Sequence, residues 1–138
     1  MDNKKSDIYY ALLAIDNIKA IQKYIGNKTY DEFILDEELI DAIMFRLVQL
    51  IENIKKISNE FKNENSQIPW GKIIGFRNGI VHEYGKTDYT IVYETISQDL
   101  DELLEAFGAF LWTYYFGEKE QFVQLVYVLS HRHKDTKV

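Results

Sequence analysis

The sequence predicts an all-α fold in the form of an up-and-down bundle of about five helices. One proline and seven glycines in 138 residues leave long stretches without a helix breaker. Apolar residues recur at steps of three and four along most of the chain, and no strand-like alternation competes convincingly. We expect a single domain spanning residues 1–138, because a chain of this length can bury its own core.

The first helix is predicted from about Ser6 to Ile25. Ser6 or Asp7 can cap its start, and Gly26 tolerates the left-handed conformation that ends many helices. The apolar positions of this helix follow a helical period. They are Ile8, Leu12, Ile15, Ile18 and Ile25.

The connection that follows contains Thr29 and Glu32 at the spacing of a capping box, which indicates a short turn. The second long helix begins after Asp36, a favourable N-cap residue. It is expected to continue to the polar run KNENSQ, since its apolar stripe persists for about six turns. That stripe is Leu39, Ile43, Leu47, Leu50, Ile54, Ile57 and Phe61.

Three further helices are predicted. Pro69 opens the third, which covers roughly residues 70–83 although it contains three glycines. The fourth runs from about Tyr89 to Phe116, with Asp88 as its cap and Gly117 as its end. A last helix is expected from about Glu118 to Ser130. The stripe of the fourth helix is Val92, Ile96, Leu100, Leu103, Phe107 and Phe110.

Composition and charge exclude several classes of protein. There is no cysteine, so disulfides and thiolate chemistry are absent. No signal peptide and no stretch of about 18 apolar residues are visible, and we expect a cytoplasmic protein without a membrane span. The net charge of −6 disfavours indiscriminate nucleic-acid binding but leaves room for a local basic cleft. His131 and His133 are interpreted as part of a polar tail, and we expect neither a metal nor a cofactor.

The third helix breaks the local rules of stability, which natural sequences do most often where function requires it. At about 100° per residue, its glycines share one quarter of the helix circumference with an amide and an imidazole. The residues on this glycine face are Gly71, Gly75, Asn78, Gly79 and His82. Arg77 borders the face and can reach around it, so a functional site competes here with simple close packing.

The residue types point to a particular chemistry. His82 titrates near neutral pH, and Arg77 is a permanent cation with a fork that fits phosphate. This pair suits metal-independent cleavage of RNA, in which His82 moves a proton and Arg77 neutralises growing phosphate charge. Asn78 would orient a phosphate oxygen or the imidazole. Because one histidine cannot be both base and acid, a twofold homodimer across the glycine face would bring two copies together.

These residues carry a family resemblance. Arg77-Asn78, then His82 and Tyr84, match the R-x-x-x-x-H-x-Y motif of HEPN-domain proteins of the HepT toxin family. The preceding Ile68-Pro69-Trp70, and Gly75 two places before Arg77, are also similar to that family. The resemblance covers a core of about residues 6–110, and residues from about 112 to 138 form a helical extension.

The resemblance implies a homodimeric, metal-independent endoribonuclease toxin that acts on RNA. Its partner would be a nucleotidyltransferase antitoxin, with which larger hetero-oligomers could form. That partner is expected to transfer AMP to Tyr84, where the adenylyl phosphate would occupy the pocket meant for RNA. Arg46 and Glu52 on the second helix are expected to line the cleft, together with Gly75 and Gly79.

Two alternatives remain open at this point. One is a non-catalytic HEPN module that binds a nucleotide or a partner nucleotidyltransferase, which the acidic charge favours. The other is a purely structural helical dimer, in which the glycine face only permits close packing.

Overall fold

The structure is a computed structural model that describes residues 3–82 and 88–117, with side chains described for residues 3–76 and 88–117. This part of the chain contains six helices and no strand. They are α1 (Asn3–Ile25), α2 (Tyr30–Ile34), α3 (Glu37–Lys55), α4 (Asn59–Glu64), α5 (Trp70–His82) and α6 (Tyr89–Phe116). The all-α bundle predicted from the sequence is therefore confirmed. The predicted helix from Glu118 to Ser130 lies outside the described residues.

Helix α1 lies antiparallel to both long helices. Arg46 on α3 bonds to Asn17, whereas Ser58, beyond the end of α3, bonds to Asp7 near the start of α1. Against α6, Gln22 of α1 donates to Asp101, 2.9 Å away. The apolar faces of α1, α3 and α6 enclose one core, which includes the fully buried Ile18, Ile21, Leu47, Leu50, Leu103 and Phe107.

Local sequence signals fix most helix ends. Thr29 and Glu32 form the complete capping box of α2, as their spacing predicted. Asp36 caps α3 by accepting from the Leu39 N–H, and Asp88 caps α6 by accepting from the Thr90 N–H. Gly117 ends α6 with a φ of 73°, a conformation that costs glycine little.

The predicted length of the second helix is wrong. It ends at Lys55, and a separate helix α4 starts after Ser58, whose hydroxyl accepts from the Phe61 N–H. The break has a long-range cause, because Asp7 accepts from both the Ser58 N–H at 2.8 Å and the Ser58 hydroxyl at 2.6 Å. Ile57 and Phe61 remain buried as predicted, since the chain resumes its helical course at once.

Two details of the first predicted helix are also wrong. Ser6 and Asp7 do not cap α1, which already includes Asn3; Asp7 is instead buried within the helix. Leu12, predicted on the apolar stripe, is 46% exposed. The small side chains of Ala11 and Ala14 occupy the core-facing positions and allow α1 and α3 to approach closely.

Replacing Asp7 by alanine is expected to lower the free energy of unfolding by about 2 kcal/mol, since it removes a charged acceptor from two partly buried donors of Ser58. Burial lowers the pKa of the nearby Lys62 ammonium, and the negative charge of the Asp7 carboxylate raises that pKa in part. The loss of Asp7 therefore also removes a charge that stabilises the ammonium. Urea denaturation measures the effect. Asp16→Ala, an exposed site on the same helix, is the control, and equal losses in the two variants would contradict this role of Asp7.

Candidate functional site

Helix α5 is held in place through its N-terminal half. The Trp70 indole N–H lies 3.1 Å from the Lys62 carbonyl oxygen and 3.0 Å from that of Asn65, and it donates to these carbonyls at the end of α4. The Trp70 ring packs against Phe61 and Phe107, with ring centres 6.1 and 6.3 Å away. Trp70 therefore joins α4, α5 and α6, which gives the Ile-Pro-Trp segment a structural role.

Two further contacts fix the orientation of this helix. Ile73 is 1% exposed and belongs to the common core, with Phe76 packed against that core. Lys72, on another side of the helix, forms an ion pair with Asp99 of α6 at 3.4 Å. These contacts anchor the first half of α5 on two sides and set the direction of the helix, which lies beside α3.

The backbone of α5 stays helical through His82. In this geometry Asn78 and His82 are one turn apart, on the same face as Gly71 and Gly75. Arg77 and His82 are five residues apart, which separates their positions by about 7.5 Å along the axis and about 140° around it. The Arg77 position therefore lies outside the glycine face, and a guanidinium there must reach around the helix to meet His82. The side chains of Arg77, Asn78 and His82 and the local surroundings of Gly79 lie outside the described part, as does the whole of Tyr84.

The glycine face is open where the structure describes it. Gly71 and Gly75 are both exposed. A Cβ atom added at either position would meet no neighbouring helix or side chain of the described residues within 4 Å. Packing among the described residues therefore does not require these glycines, although each lowers the intrinsic stability of the helix.

The two cleft residues expected on α3 take different directions. Arg46 is half-buried, and its Nη1 donates to the Asn17 Oδ1 on α1 at 3.2 Å. Glu52 is placed about 120° around α3 from Arg46, on the side of Phe45 and Val48. Its Oε1 is buried, and it lies 3.9 Å from the Lys55 ammonium. The structure thus turns Arg46 toward α1 and leaves Glu52 nearer to the opposite side of α3.

Sequence reasoning missed the polar residues that organise this region. Asn17 is 7% exposed, and it accepts from Arg46 while donating to the Leu13 carbonyl. An asparagine within a helix whose inward positions are mostly apolar is a usable signal, because buried polar groups require partners. No group of three or more histidine and acidic side chains that could hold a metal occurs among the described residues. None of the helices in this same part is long and apolar enough to span a membrane.

Comparison with known proteins locates the similarity in this region of the chain. A family model described as "Ribonuclease HepT-like" matches residues 14–109, which include α3, α5 and the motif positions. A protein of Caldanaerobacter subterraneus subsp. tengcongensis, named as a candidate RNase, is 33% identical over 75 residues, 54% of this chain and 67% of its own.

Two other relatives extend the comparison. A "probable ribonuclease HepT" of Thermococcus cleftensis is 25% identical over 100 residues, covering 72% of this chain and 91% of its own. A longer protein of Methanocaldococcus jannaschii, named as a gamma-glutamylcyclotransferase and candidate RNase, is 29% identical over 91 residues. That match covers 66% of this chain and 41% of the archaeal protein. No solved structure matches the chain.

Proposed function

Because the chain belongs to the HepT-like ribonuclease family, we propose that it is a metal-independent endoribonuclease with Arg77, Asn78 and His82 as catalytic residues. The observation that carries the proposal is the course of α5. The helix continues through His82 and carries Asn78 and His82 on the same face as two glycines whose surroundings are open. A ribose phosphate can approach a backbone free of side chains more closely than any other part of this helix.

The chemistry needs only groups that this segment supplies. One His82 imidazole takes the proton of the 2′-hydroxyl, whose oxygen then forms a bond to phosphorus. The bond from phosphorus to the 5′-oxygen breaks, and a second imidazole donates a proton to that leaving oxygen. Arg77 stabilises the charge that develops on the phosphate oxygens, and Asn78 orients one of them. The products are a 2′,3′-cyclic phosphate and a 5′-hydroxyl.

The second imidazole comes from a second copy of the chain. A twofold axis across the glycine face places two Arg77 and two His82 residues in one cleft, where each copy completes the other. The two arginines also concentrate positive potential at one point of a chain whose net charge is −6. The open surroundings of Gly71 and Gly75 support this arrangement, since a partner helix can fit against them.

The walls of the cleft are assigned to α3 and α5. Glu52 is the better placed of the two α3 residues, because it lies about 120° around α3 from Arg46, away from the Arg46–Asn17 contact. Its carboxylate is suited to orient the Arg77 guanidinium. Arg46 contributes through the guanidinium donors that Asn17 does not use. Gly75 and Gly79 form the floor.

The wider proposal is a toxin held inactive by a nucleotidyltransferase antitoxin that transfers AMP to Tyr84. This rests on the match of Arg77, His82 and Tyr84 to the family motif. An adenylyl group two residues from His82 would fill the cleft with a phosphate and block RNA. Intact mass spectrometry of the chain coexpressed with such an enzyme tests it. One added AMP per chain is expected, and Tyr84→Phe should carry none.

Cleavage by the purified protein tests the central activity. The chain is incubated with single-stranded RNA in the presence of EDTA, and the new ends are identified. We expect 2′,3′-cyclic phosphate ends and no cleavage of the same strand made with 2′-deoxyribose. RNA or nucleotide binding without cleavage would instead select the non-catalytic binding module, which the acidic charge of the chain favours.

Gly75→Ala distinguishes the effect of this glycine on the stability of α5 from its role in dimerisation. The added methyl group should favour the helix by about 1 kcal/mol, because the described part of the protomer leaves space for it. The same methyl should weaken the dimer about tenfold, because it intrudes on closely packed atoms of the partner. Sedimentation equilibrium measures this. Ser97→Ala, on the exposed side of α6, is the control, and unchanged dimerisation of Gly75→Ala would rule out the interface.

A further inference from the structure

Tyr30, Tyr89 and Tyr93, here called the tyrosine cluster, lie where α2 meets the start of α6. The Tyr30 and Tyr93 rings are in edge contact, with centres 5.6 Å apart and an angle of 78°. Fully buried Phe33 lies beneath them, 5.7 Å from Tyr93 and 6.5 Å from Tyr89. All three tyrosines are half-buried and pack against the core, so Phe33 forms the apolar base and the tyrosines lie between it and solvent.

Hydrogen bonds at the surface orient these rings. The Tyr93 hydroxyl donates to the Lys28 carbonyl at 2.7 Å. The Thr90 hydroxyl lies 3.2 Å from the Tyr30 hydroxyl and donates to it. One hydrogen bond between two hydroxyls uses a single proton, so the Tyr30 proton stays available to a ligand. Phenylalanine would serve equally well for packing alone, whereas these hydroxyls prepare a surface that faces water.

The position of the cluster relates it to α5. Tyr89 is the first residue of α6, and Asp88 is only six residues beyond His82. Six residues span at most about 20 Å, so the start of α6 lies within that distance of the end of the motif helix. A strand of RNA whose phosphate is bound at α5 can therefore place a nearby nucleotide at the tyrosine cluster.

Charge decides which part of a nucleotide suits this surface. Exposed Asp31 and Glu32 follow Tyr30 in the sequence and exposed Asp88 precedes Tyr89, while the exposed Lys28 is the nearest cation in the sequence. Carboxylates disfavour a phosphate group, but they do not oppose an uncharged base. Aromatic rings of tyrosine stack on bases of single-stranded RNA, and a hydroxyl proton can bond to a base edge.

We propose that Tyr30 and Tyr89 form a stacking subsite for an RNA base that flanks the cleaved phosphate. The inference deepens the proposed ribonuclease function and rests on it. The subsite contributes to binding and to the choice of cleavage position, and it takes no part in proton transfer.

The test compares three variants of the full chain on one single-stranded RNA. Tyr30→Leu should raise KM about tenfold with little change in kcat, because a stacking partner is lost. It should also alter the distribution of cleavage positions. Tyr30→Trp should restore both, because the indole keeps the aromatic face. Tyr115→Leu, an equally large change at the opposite end of α6 where the ring is 62% exposed, should cleave like the original protein.

A second measurement tests the subsite even if Tyr30→Leu does not fold. Binding of a 2′-deoxy strand carrying the fluorescent base 2-aminopurine is followed in the original protein, in Tyr30→Trp and in Tyr89→Leu. Fluorescence should be quenched by the first two and much less by the third. Unchanged KM and cleavage positions in a folded Tyr30→Leu, or equal quenching by Tyr89→Leu, would overturn the subsite. If the original protein cleaves no RNA, the proposed function itself fails.

Discussion

Replacing His82 by alanine is expected to lower kcat for RNA cleavage roughly a thousandfold, the size of effect that a general acid–base group supplies. In the proposed dimer the change removes the base and the acid at once, since both come from copies of this residue. The binding of uncleaved 2′-deoxy strands should change little, because Arg77 and Asn78 still hold the phosphate. Single-turnover kinetics with saturating protein measures the chemical step.

The chain offers a matched control for this change. His131→Ala removes another histidine, from the segment interpreted as a polar tail, and should leave kcat unchanged. Circular dichroism verifies that both variants keep their helical content. Equal activity of His82→Ala and His131→Ala would exclude His82 from the reaction and would favour a binding module without catalysis.

Replacing Arg77 by alanine is expected to lower kcat by a few hundredfold, as the loss of one charged donor to a developing oxyanion does. Arg77→Lys should recover only part of the rate, because an ammonium keeps the charge but lacks the fork that holds two phosphate oxygens. The ratio of the two variants therefore separates charge from geometry. Steady-state kinetics on a short RNA gives both values.

Lys72→Ala is the control for the loss of a positive charge from α5. Lys72 is exposed, and its ammonium is paired with the Asp99 carboxylate on α6. An exposed pair of this kind contributes little to stability, so the variant should fold and cleave normally. If Arg77→Ala retains the activity of Lys72→Ala, the guanidinium does not act on the phosphate.

The elements that local sequence determines were predictable. Thr29 with Glu32, Asp36 before α3, and Asp88 with Gly117 around α6 each satisfy backbone groups a few residues away. Such signals are complete within one turn of helix, and a sequence pattern contains all of them.

The features that depend on distant residues were not predictable. The helix ends after α3 because both donors of Ser58, its N–H and its hydroxyl, bond to Asp7, which lies 51 residues earlier. The apolar period of the second predicted helix gives no sign of this distant contact. Leu12 fits the apolar period of α1 yet is exposed, since the period does not determine which neighbour a side of the helix meets.

The candidate site divides in the same way. The motif residues on α5 follow from the sequence, since Arg77 and His82 have a recognisable spacing and the glycines share their helix. The tyrosine cluster does not, because Tyr30 and Tyr93 are 63 residues apart and meet only in the folded chain. Partly buried tyrosines do not follow the apolar period of a helix, so no sequence pattern identifies them.

The claim that two chains build one site is tested most directly by mixing the original protein with His82→Ala, unfolding both together and refolding them. At equal amounts, random pairing unites two original chains in about one quarter of the dimers. If cleavage needs an imidazole from each chain, activity falls to about one quarter and follows the square of the original fraction. Activity of about one half, linear in that fraction, would show independent sites in each chain and would contradict the shared cleft.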